Sequence, residues 1–376
     1  MKDWFGLANA HTDFFVNNET DRRVLFARSE LNSQLQSRLA RCFRTSYPPK
    51  MVLYGNWGAG KTHTMRHVEY ELEQNQNYKA RTFFAELPDV TKKSTFQVAH
   101  AAFMDCMSQD NVRRWFSLYH AKKAQDTEEL VRKFTQSGDI AKAFMSLLLP
   151  GEGARIAWDW LRGIELKSAD ARTVGLPTCL EQSTQLVAVL RMIGLIVSEI
   201  EDRVLIWLLD EAEKLKDVTD GIPHWTASLR HLSDVQNRQL GFIIAASFRD
   251  LDDGPDALVD LQVRTRIGET NYLQLPDFQA DQAEEFCKAL LADWIDPQIR
   301  DQIIKSYPAE LDGDRADPQL FPFTDKGFEK FVNDICLREG STNPRGIQQE
   351  MDAAFNRAMD DKRHILSRDY LDSAAV

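Results

Sequence analysis

Short apolar runs alternate with helical stretches along most of the chain, and this pattern predicts an α/β fold. Runs at 51–54, 204–209 and 241–246 are apolar on both faces, as strands of a buried parallel sheet are. A further run at 81–87 also fits a buried strand. Before the first run, Leu31, Leu35 and Leu39 recur at helical spacing within a predicted helix over 31–43. We therefore expect a parallel sheet flanked by helices.

After a last strand-like run at 273–276 the pattern becomes helical. Predicted helices cover 281–293, 328–337 and 347–359, with prolines between them. We therefore expect two domains, an α/β domain over residues 1–276 and a helical lid domain over residues 277–376.

One stretch, residues 111–175, has no counterpart in a simple strand–helix alternation and is interpreted as a helical insertion. It holds eleven Lys/Arg and eight Asp/Glu, a balance of +3, while the rest of the chain has −14. Its aromatic residues lie among these charges, which fits either a partner or nucleic-acid surface or the core of a helical subdomain. We favour the second interpretation. The aromatic residues are Trp115, Phe116, Tyr119, Trp158 and Trp160.

The helix before the strand at 204–209 carries its own start signal. Thr178 to Glu181 reads as a capping box directly after Pro177, with the hydroxyl and the carboxylate bonding each other's backbone. We expect this helix to begin there.

A glycine-rich loop follows the first apolar run and precedes a predicted helix over 63–72. Such a loop between a strand and a helix binds phosphate, because its glycines let successive N–H groups converge and the helix N-terminus adds its dipole. Lys61 supplies charge for the outer phosphates, and the Thr62 hydroxyl is expected to ligate Mg²⁺. The residues expected to hold the nucleotide are Gly55, Asn56, Trp57, Gly58, Ala59, Gly60, Lys61, Thr62 and His63.

Polar side chains follow two of the other predicted strands. Asp210 and Glu211 come directly after 204–209, at the carboxyl end of a parallel strand, where α/β sheets meet their ligands. We expect Asp210 to hold Mg²⁺ and Glu211 to polarise the attacking water. Ser247 follows 241–246 and is expected to orient that water. The alternatives are a helix cap for the acidic pair and an ordinary strand-end serine.

The order of these motifs resembles that of AAA+ ATPases. Within that superfamily the chain is similar to the origin-recognition and initiator-like clade and to related signalling ATPases of the STAND type. The resemblance covers about residues 28–110 and 178–376. It identifies Gly55–Thr62 as Walker A, Leu205–Glu211 as Walker B and Ser247 as sensor 1.

The resemblance also implies roles for arginines. Arg264 and Arg266 precede the last core strand, as an arginine finger does, and Arg266 is the preferred candidate. The segment Gly340–Gly346 resembles the sensor-2 motif, and the resemblance identifies Arg345 as the sensor-2 arginine. Because such a finger acts in a neighbouring subunit, the resemblance implies a homo-oligomer formed with ATP. Solvated surface arginines are the alternative, and Arg249 is a secondary candidate.

Composition limits where the protein works and what it contacts. Among 376 residues the net charge is −11, so the whole molecule has no bulk affinity for nucleic acid or anionic membrane. Five widely spaced cysteines favour reduced thiols in a cytosol. Charged residues interrupt the most apolar stretch, Leu186–Leu209, and no apolar segment follows the N-terminus. We therefore expect a cytoplasmic protein that does not span a membrane.

Two functions fit the sequence. The first is an Mg²⁺-dependent AAA+ ATPase that acts as an oligomerising switch and recruits or remodels a protein partner, whether DNA-linked or in a defence system. The second is a regulatory sensor that holds ADP or ATP and rarely hydrolyses it.

DNA binding by the isolated chain is expected to be weak. Few residues follow the lid, and the winged helix of the initiators would have to form from them. His63 and His67 lie one turn apart without a third ligand, so a metal site there is not expected.

Overall fold

The computed structural model describes residues 1–7, 15–16, 20–180, 182–234, 238–337 and 342–374. The chain divides into two compact units, which are described separately. The first, here called the sheet unit, comprises residues 35–55 and 68–274. The second comprises residues 1–34, 56–67 and 275–376 and is called the loop unit, because it contains most of the glycine-rich loop. The predicted division into domains at 276/277 stays a prediction.

The sheet unit is built on five parallel strands in the order β2-β3-β4-β1-β5. Residue for residue, Gly55 pairs with Ser247 and Glu86 with Asp210. The predicted parallel α/β fold is thereby confirmed. The strands are β1 (Lys50–Gly55), β2 (Ala80–Glu86), β3 (Val204–Asp210), β4 (Leu240–Ser247) and β5 (Tyr272–Gln274).

Helices connect the strands of the sheet unit. The long segment between β2 and β3 is entirely helical apart from its connections. The helices are α2 (Ser29–Thr45), α3 (Lys61–Gln74), α4 (Gln97–Met107), α5 (Gln109–Lys123), α6 (Thr127–Thr135), α7 (Gly138–Ser146), α8 (Glu152–Leu161), α9 (Ser168–Val174), α10 (Ser183–Glu201), α11 (Ile222–Leu232), α12 (Asp256–Val259) and α13 (Leu261–Ile267).

The predicted start of α10 was wrong. The helix begins at Ser183, where Gln182 and Gln185 bond each other's backbone in a capping box. Thr178 instead accepts a hydrogen bond from Leu166 N at 2.7 Å through its carbonyl oxygen, which commits it to the preceding turn. Glu181 lies outside the described residues.

The aromatic residues of the helical insertion form its core. All five predicted ones are buried: Trp115, Phe116, Tyr119, Trp158 and Trp160. The Trp115 indole donates to Glu201 at 2.7 Å, so the insertion is tied to the end of α10. The interpretation that these aromatic residues are core residues is confirmed, but their core is continuous with that of the sheet rather than one of a separate subdomain.

One helix in the described part of the chain, α10, is long and apolar enough to cross a bilayer by length and composition. Half of that apolar stretch is buried within the protein, and α10 packs against α5, α11 and β3. Core helices of water-soluble proteins have the same composition, so the apolarity of α10 is accounted for by its packing.

The loop unit is helical. The three predicted lid helices are confirmed as α14, α16 and α17, and their core includes Phe26, Trp294, Phe323 and Phe355. Of the segment assigned to sensor 2, Gly340 and Ser341 lie outside the described residues. The helices of the loop unit are α1 (Lys2–Phe5), α14 (Ala280–Trp294), α15 (Pro297–Ser306), α16 (Asp325–Leu337), α17 (Pro344–Asp360) and α18 (Arg368–Ala374).

Candidate nucleotide-binding site

The glycine-rich loop has the backbone that its sequence requires. Gly58 and Gly60 have φ of +82° and +86°, values that residues with a Cβ rarely adopt. A Cβ on Gly58 would also lie 2.7 Å from Asn343 Oδ1. Lys61 is the first residue of α3, so the loop runs directly into a helix N-terminus. This geometry directs backbone N–H groups and the helix dipole toward one anion.

Lys61 is held on the loop itself. Its side chain is buried, and Nζ donates to the carbonyl oxygen of Asn56 at 2.8 Å. Phosphate oxygens accept a stronger hydrogen bond from an ammonium than a carbonyl oxygen does. Lys61 is therefore positioned to bind a phosphate group.

The start of α17 covers the loop. Arg345 N donates to Gly58 O at 3.4 Å, and the Arg345 guanidinium lies 4.0 Å from the ring centroid of Trp57. Asn343 caps α17 by accepting from Gly346 N at 2.9 Å. The structure thus brings the predicted Arg345 to the loop and adds Asn343, which the sequence analysis did not single out.

Arg28 is a second residue that the sequence analysis missed. Its guanidinium donates to Ala59 O at 2.9 Å and to Pro276 O at 3.1 Å, and it lies 4.6 Å from the ring centroid of Phe278. Burial lowers the pKa of Arg28 to about 10, which leaves it charged at neutral pH. Arg28 therefore fixes the loop to the first residues after β5.

His63 and His67 bind main-chain carbonyls. His63 Nε2 lies 2.7 Å from Val24 O, and His67 Nδ1 lies 2.9 Å from Arg22 O. Burial lowers the pKa of His63, which favours the neutral ring. Within the described ranges, no group of three or more His, Cys, Asp or Glu is placed to hold a metal. The two histidines instead join α3 to the segment before α2.

The acidic pair lies at the carboxyl end of β3, as predicted. Asp210 is buried, and its Oδ1 accepts from Glu211 N at 2.9 Å. Glu211 has left-handed backbone angles, φ 59° and ψ 29°, which turn the chain sharply after the strand. That turn leaves the Glu211 side chain 44% exposed.

Lys214 engages Glu211. Its ammonium lies 2.7 Å from Glu211 Oε2 and 3.3 Å from Asp89, and it donates to Leu87 O at 2.8 Å. The hydrogen bond to Glu211 raises the pKa of Lys214, so the ammonium stays protonated throughout the neutral range. Lys214 therefore occupies a carboxylate oxygen of the predicted catalytic base.

Ser247 is engaged by a second glutamate of the same turn. Glu213 accepts from Ser247 N and from Ser247 Oγ, both at 2.9 Å. A hydroxyl that donates its proton to Glu213 retains its lone pairs, so Ser247 is available as an acceptor for a water. Because Ser247 pairs with Gly55, it lies at the strand position where the glycine-rich loop begins.

The two candidate finger residues lie on α13 with different surroundings. Arg264 is half-buried and lies 3.4 Å from Glu269. Arg266 is exposed, and its guanidinium donates to Gln262 O on its own helix at 3.1 Å. Exposure favours Arg266 over Arg264 as a residue that reaches another molecule. Arg249 is exposed as well.

The missed residues share a property that explains why the sequence did not mark them. Arg28 acts on a loop 31 residues later, and Glu213 reaches Ser247 across 34 residues. Contacts of this range depend on the tertiary fold. Lys214 is different, because its i, i+3 spacing from Glu211 is a local signal for an ion pair that could have been used.

A strand, a glycine-rich loop with a lysine and a threonine, and a helix, set in this parallel sheet, form the fold of P-loop NTPases. Residues 34–146 match the profile of the KAP family P-loop domain. That match includes the loop and the first part of the helical insertion. A comparison with curated proteins finds no match.

Solved structures of similar fold include archaeal origin-recognition proteins. ORC2 of Aeropyrum pernix, solved as ADPNP–ADP complexes, has 13% identity and a TM-score of 0.50, covering 97% of this chain and 72% of that one. ORC1 of the same organism, in complex with DNA, gives 14% and 0.46, covering 94% and 65%. Cdc6p of Pyrobaculum aerophilum gives 11% and 0.46, covering 90% and 64%.

These comparisons show which known fold the chain resembles. The chain has a P-loop NTPase fold similar to that of the AAA+ origin-recognition protein ORC2. It spans 64% to 72% of the length of the three origin-recognition proteins, so their whole-protein activities are not carried over to it here.

Proposed function

We propose that this protein binds ATP with Mg²⁺, hydrolyses it to ADP and phosphate, and works as an oligomerising switch in the cytoplasm that recruits or remodels a protein partner. The observation that carries the proposal is the loop: two glycines at positive φ, a helix N-terminus, and a buried Lys61 ammonium bonded to the loop's own carbonyl. This arrangement fits a chain of phosphates better than any neutral ligand.

The donor set also fits Mg²⁺. We assign Thr62 and Asp210 as its protein ligands, a hydroxyl and a carboxylate, which are the oxygen donors this ion prefers beside phosphate oxygens and water. When bound, Mg²⁺ neutralises charge on the phosphates. Glu211 accepts a proton from the attacking water, Ser247 orients that water, and Arg345 contributes charge from the start of α17.

Nucleotide binding and turnover separate these roles. Lys61→Ala is expected to abolish binding of a fluorescent ATP analogue. Glu211→Gln is expected to retain binding and to lower turnover by about 10²–10⁴, the usual effect of losing a general base. Thr62→Ala is expected to weaken Mg²⁺-dependent binding more than binding measured with EDTA.

Lys79→Gln is a suitable control, because Lys79 is an exposed lysine paired with Asp202 outside the site. It is expected to leave binding and turnover unchanged. Equal loss of nucleotide affinity in Lys61→Ala and Glu211→Gln would contradict the assigned roles.

A slow regulatory sensor is the second candidate, and one observation favours it. Glu211 is paired with Lys214, so a carboxylate oxygen of the residue assigned as the general base already has a partner. The sensor hypothesis expects stoichiometric ADP or ATP to copurify with the protein and turnover well below the ~1 s⁻¹ lower end of typical enzymes. Steady-state turnover above that value would exclude it.

A further inference from the structure

A long acid-free stretch surrounds the glycine-rich loop in the sequence. Residues 31–68 contain no Asp or Glu, although the chain average of 57 acids in 376 residues predicts about six there. The same stretch holds six cations: Arg38, Arg41, Arg44, Lys50, Lys61 and Arg66. In a chain with a net charge of −11, this segment is a strong local exception. The first four of these cations belong to the sheet unit.

The C-terminal half of α2 arranges three of these cations in a row. Arg38, Arg41 and Arg44 are three residues apart, so successive members rise by about 4.5 Å along the helix. Leu35 and Leu39 are buried and turn the opposite side of the helix inward. Arg41 and Arg44 are exposed, and neither belongs to an ion pair among the described residues.

An exposed aromatic residue follows directly. Tyr47 is 38% exposed, and the guanidinium of Arg238 lies 4.8 Å from its ring centroid. Arg238 also donates to the Tyr47 hydroxyl at 3.1 Å. Arg238 is itself exposed and forms no ion pair with the described part of the chain, so the pair combines a cation with an aromatic ring at the surface.

Lys50 joins this region to the end of α11. Its ammonium donates to Ser233 O at 3.1 Å and to Asp234 O at 2.6 Å. Burial lowers the pKa of Lys50 to about 8; Asp234 opposes this shift and Arg191 adds to it, which places both near the ammonium.

The end of α11 adds further cations. Burial lowers the pKa of His231, and Arg230, Arg266 and Arg191 lower it further, while Asp234 raises it. Arg191 is half-buried, with its guanidinium 5.7 Å from the ring centroid of Phe134, so it is not part of the exposed surface beside α2.

We propose that the basic face formed by Arg41, Arg44, Tyr47 and Arg238 binds the phosphate backbone of nucleic acid. Guanidinium groups match phosphate oxygens bidentately, and an exposed ring backed by arginine is a platform on which a base stacks. This inference goes beyond the proposed function, since it does not depend on ATP hydrolysis.

Of the eleven cations of the helical insertion, six lie in ion pairs with carboxylates. Lys123 lies 2.7 Å from Glu199, Arg132 lies 2.5 Å from Glu129, and Arg162 lies 2.6 Å from Asp105. A cation already paired with a carboxylate releases little free energy on meeting a phosphate. The insertion is therefore a poorer candidate for nucleic-acid contact than the basic face, although it has a positive balance.

An anionic membrane is a weaker match. Membrane-surface segments combine cations with apolar side chains that enter the lipid. In the basic face the exposed ring is Tyr47, whose hydroxyl is bonded to Arg238, and the three leucines of α2 are buried. Phosphate contact without apolar insertion is the chemistry of nucleic-acid backbones.

The test compares two double variants of the whole chain with equal loss of charge. Arg41→Gln/Arg44→Gln removes two cations of the basic face, and Arg132→Gln/Lys133→Gln removes two cations that are paired with Glu129. Binding of a fluorescein-labelled 30-base-pair DNA is measured by anisotropy from 50 to 200 mM salt, without nucleotide. Thermal unfolding confirms that both variants fold.

With about four phosphate contacts, wild-type affinity is expected to fall about 10²-fold over that salt range. The Arg41/Arg44 variant is expected to bind about tenfold or more weakly and to reduce the salt slope by about 2, while the control variant matches the wild type. Tyr47→Leu is expected to weaken a single strand about tenfold and the duplex much less. ATP turnover without DNA is expected to be unchanged in all three.

Two outcomes would overturn the inference. In one, both double variants bind DNA as the wild type does, which removes the basic face as the contact surface. In the other, DNA does not bind but vesicles containing phosphatidylserine do, in a manner lost in Arg41→Gln/Arg44→Gln. Failure of ATP turnover in the wild type would instead affect only the proposed function, because this assay contains no nucleotide.

Discussion

Lys214 and Glu211 are three residues apart in the turn after β3, and their ion pair of 2.7 Å has a consequence for catalysis. The ammonium occupies a carboxylate oxygen that must accept a proton from water if Glu211 is the general base. Lys214→Met is therefore expected to raise kcat about severalfold at unchanged KM, measured by phosphate release. Lys214→Arg keeps the ion pair and is expected to behave as the wild type.

The double variant Glu211→Gln/Lys214→Met serves as the control for that experiment. It is expected to be as inactive as Glu211→Gln, because releasing a residue that is no longer a base gains nothing. A fall in kcat in Lys214→Met that Lys214→Arg rescues would mean that Lys214 positions Glu211 for catalysis rather than restraining it.

His100 gives a prediction about stability and pH. It is fully buried, its Nε2 lies 2.7 Å from Leu161 O, and burial lowers its pKa from 6.5 to about 4. The unfolded chain therefore takes up a proton at this residue below about 6.5, whereas the folded protein does so only below about 4. The contribution of neutral His100 to the free energy of unfolding is fully present above pH 6.5. It is lost as the pH falls from 6.5 to 4, which lowers the free energy of unfolding by up to about 3 kcal/mol.

His100→Gln tests this, since an amide donates to Leu161 O without titrating. Chemical denaturation between pH 4 and pH 8 is expected to show a smaller loss of unfolding free energy at low pH for the variant than for the wild type. The difference isolates His100 from carboxylates that titrate in the same range. Parallel pH profiles for the two proteins would contradict the prediction.

At the scale of elements, α13 separates two arginines that the sequence could not rank firmly. Arg266 is exposed, while Arg264 is paired with Glu269. Arg266→Ala is expected to bind ATP normally and to turn it over about a thousandfold or more slowly, as expected for loss of an arginine finger. Arg264→Ala is expected to have a much smaller effect.

Mixing experiments test whether Arg266 acts between subunits. Arg266→Ala protein retains its own loop, and Lys61→Ala protein retains its own finger, so a mixture is expected to recover part of the activity. Specific activity that stays constant on dilution to a proven monomer would contradict action between subunits.

Strands and long helices could be predicted because their signals are local. The runs apolar on both faces became β1, β3 and β4, and each of the three predicted lid helices was found within a few residues of its expected bounds. The start of α10 was missed because Thr178 forms a turn with Leu166, a tertiary choice that overrides the local capping pattern.

In the candidate site too, the residues of a local motif could be predicted and those brought together by the tertiary fold could not. Gly58, Gly60 and Lys61 follow from a local motif, because only a short loop is needed to turn the chain and expose its amides. The residues that modify the site act over long sequence distances, as Arg28 does on Ala59 and Glu213 on Ser247. Hydrophobic period and motif spacing carry no information about such contacts.

At the scale of the whole molecule, net charge proved a poor guide to surface chemistry. The helical insertion has a balance of +3, yet six of its eleven cations lie in ion pairs with carboxylates, as Lys123 does beside Glu199. The acid-free stretch 31–68 became visible as a surface feature only once α2 and α11 were seen beside β1. What decides attraction for a polyanion is which charges remain unpaired, and sequence counts do not contain that.

The burial of most tryptophans means that the fluorescence of Trp57, in the glycine-rich loop, can be distinguished from that of the others. Of eight tryptophans, six are buried, Trp4 is half-buried, and Trp57 is 64% exposed beneath the Arg345 guanidinium. Iodide in solution is therefore expected to quench a small, red-shifted part of the emission that belongs to Trp57, and Trp57→Phe should remove that part. If nucleotide draws Arg345 away from the ring, the same small fraction of light will report loading in real time, without any label attached to the protein.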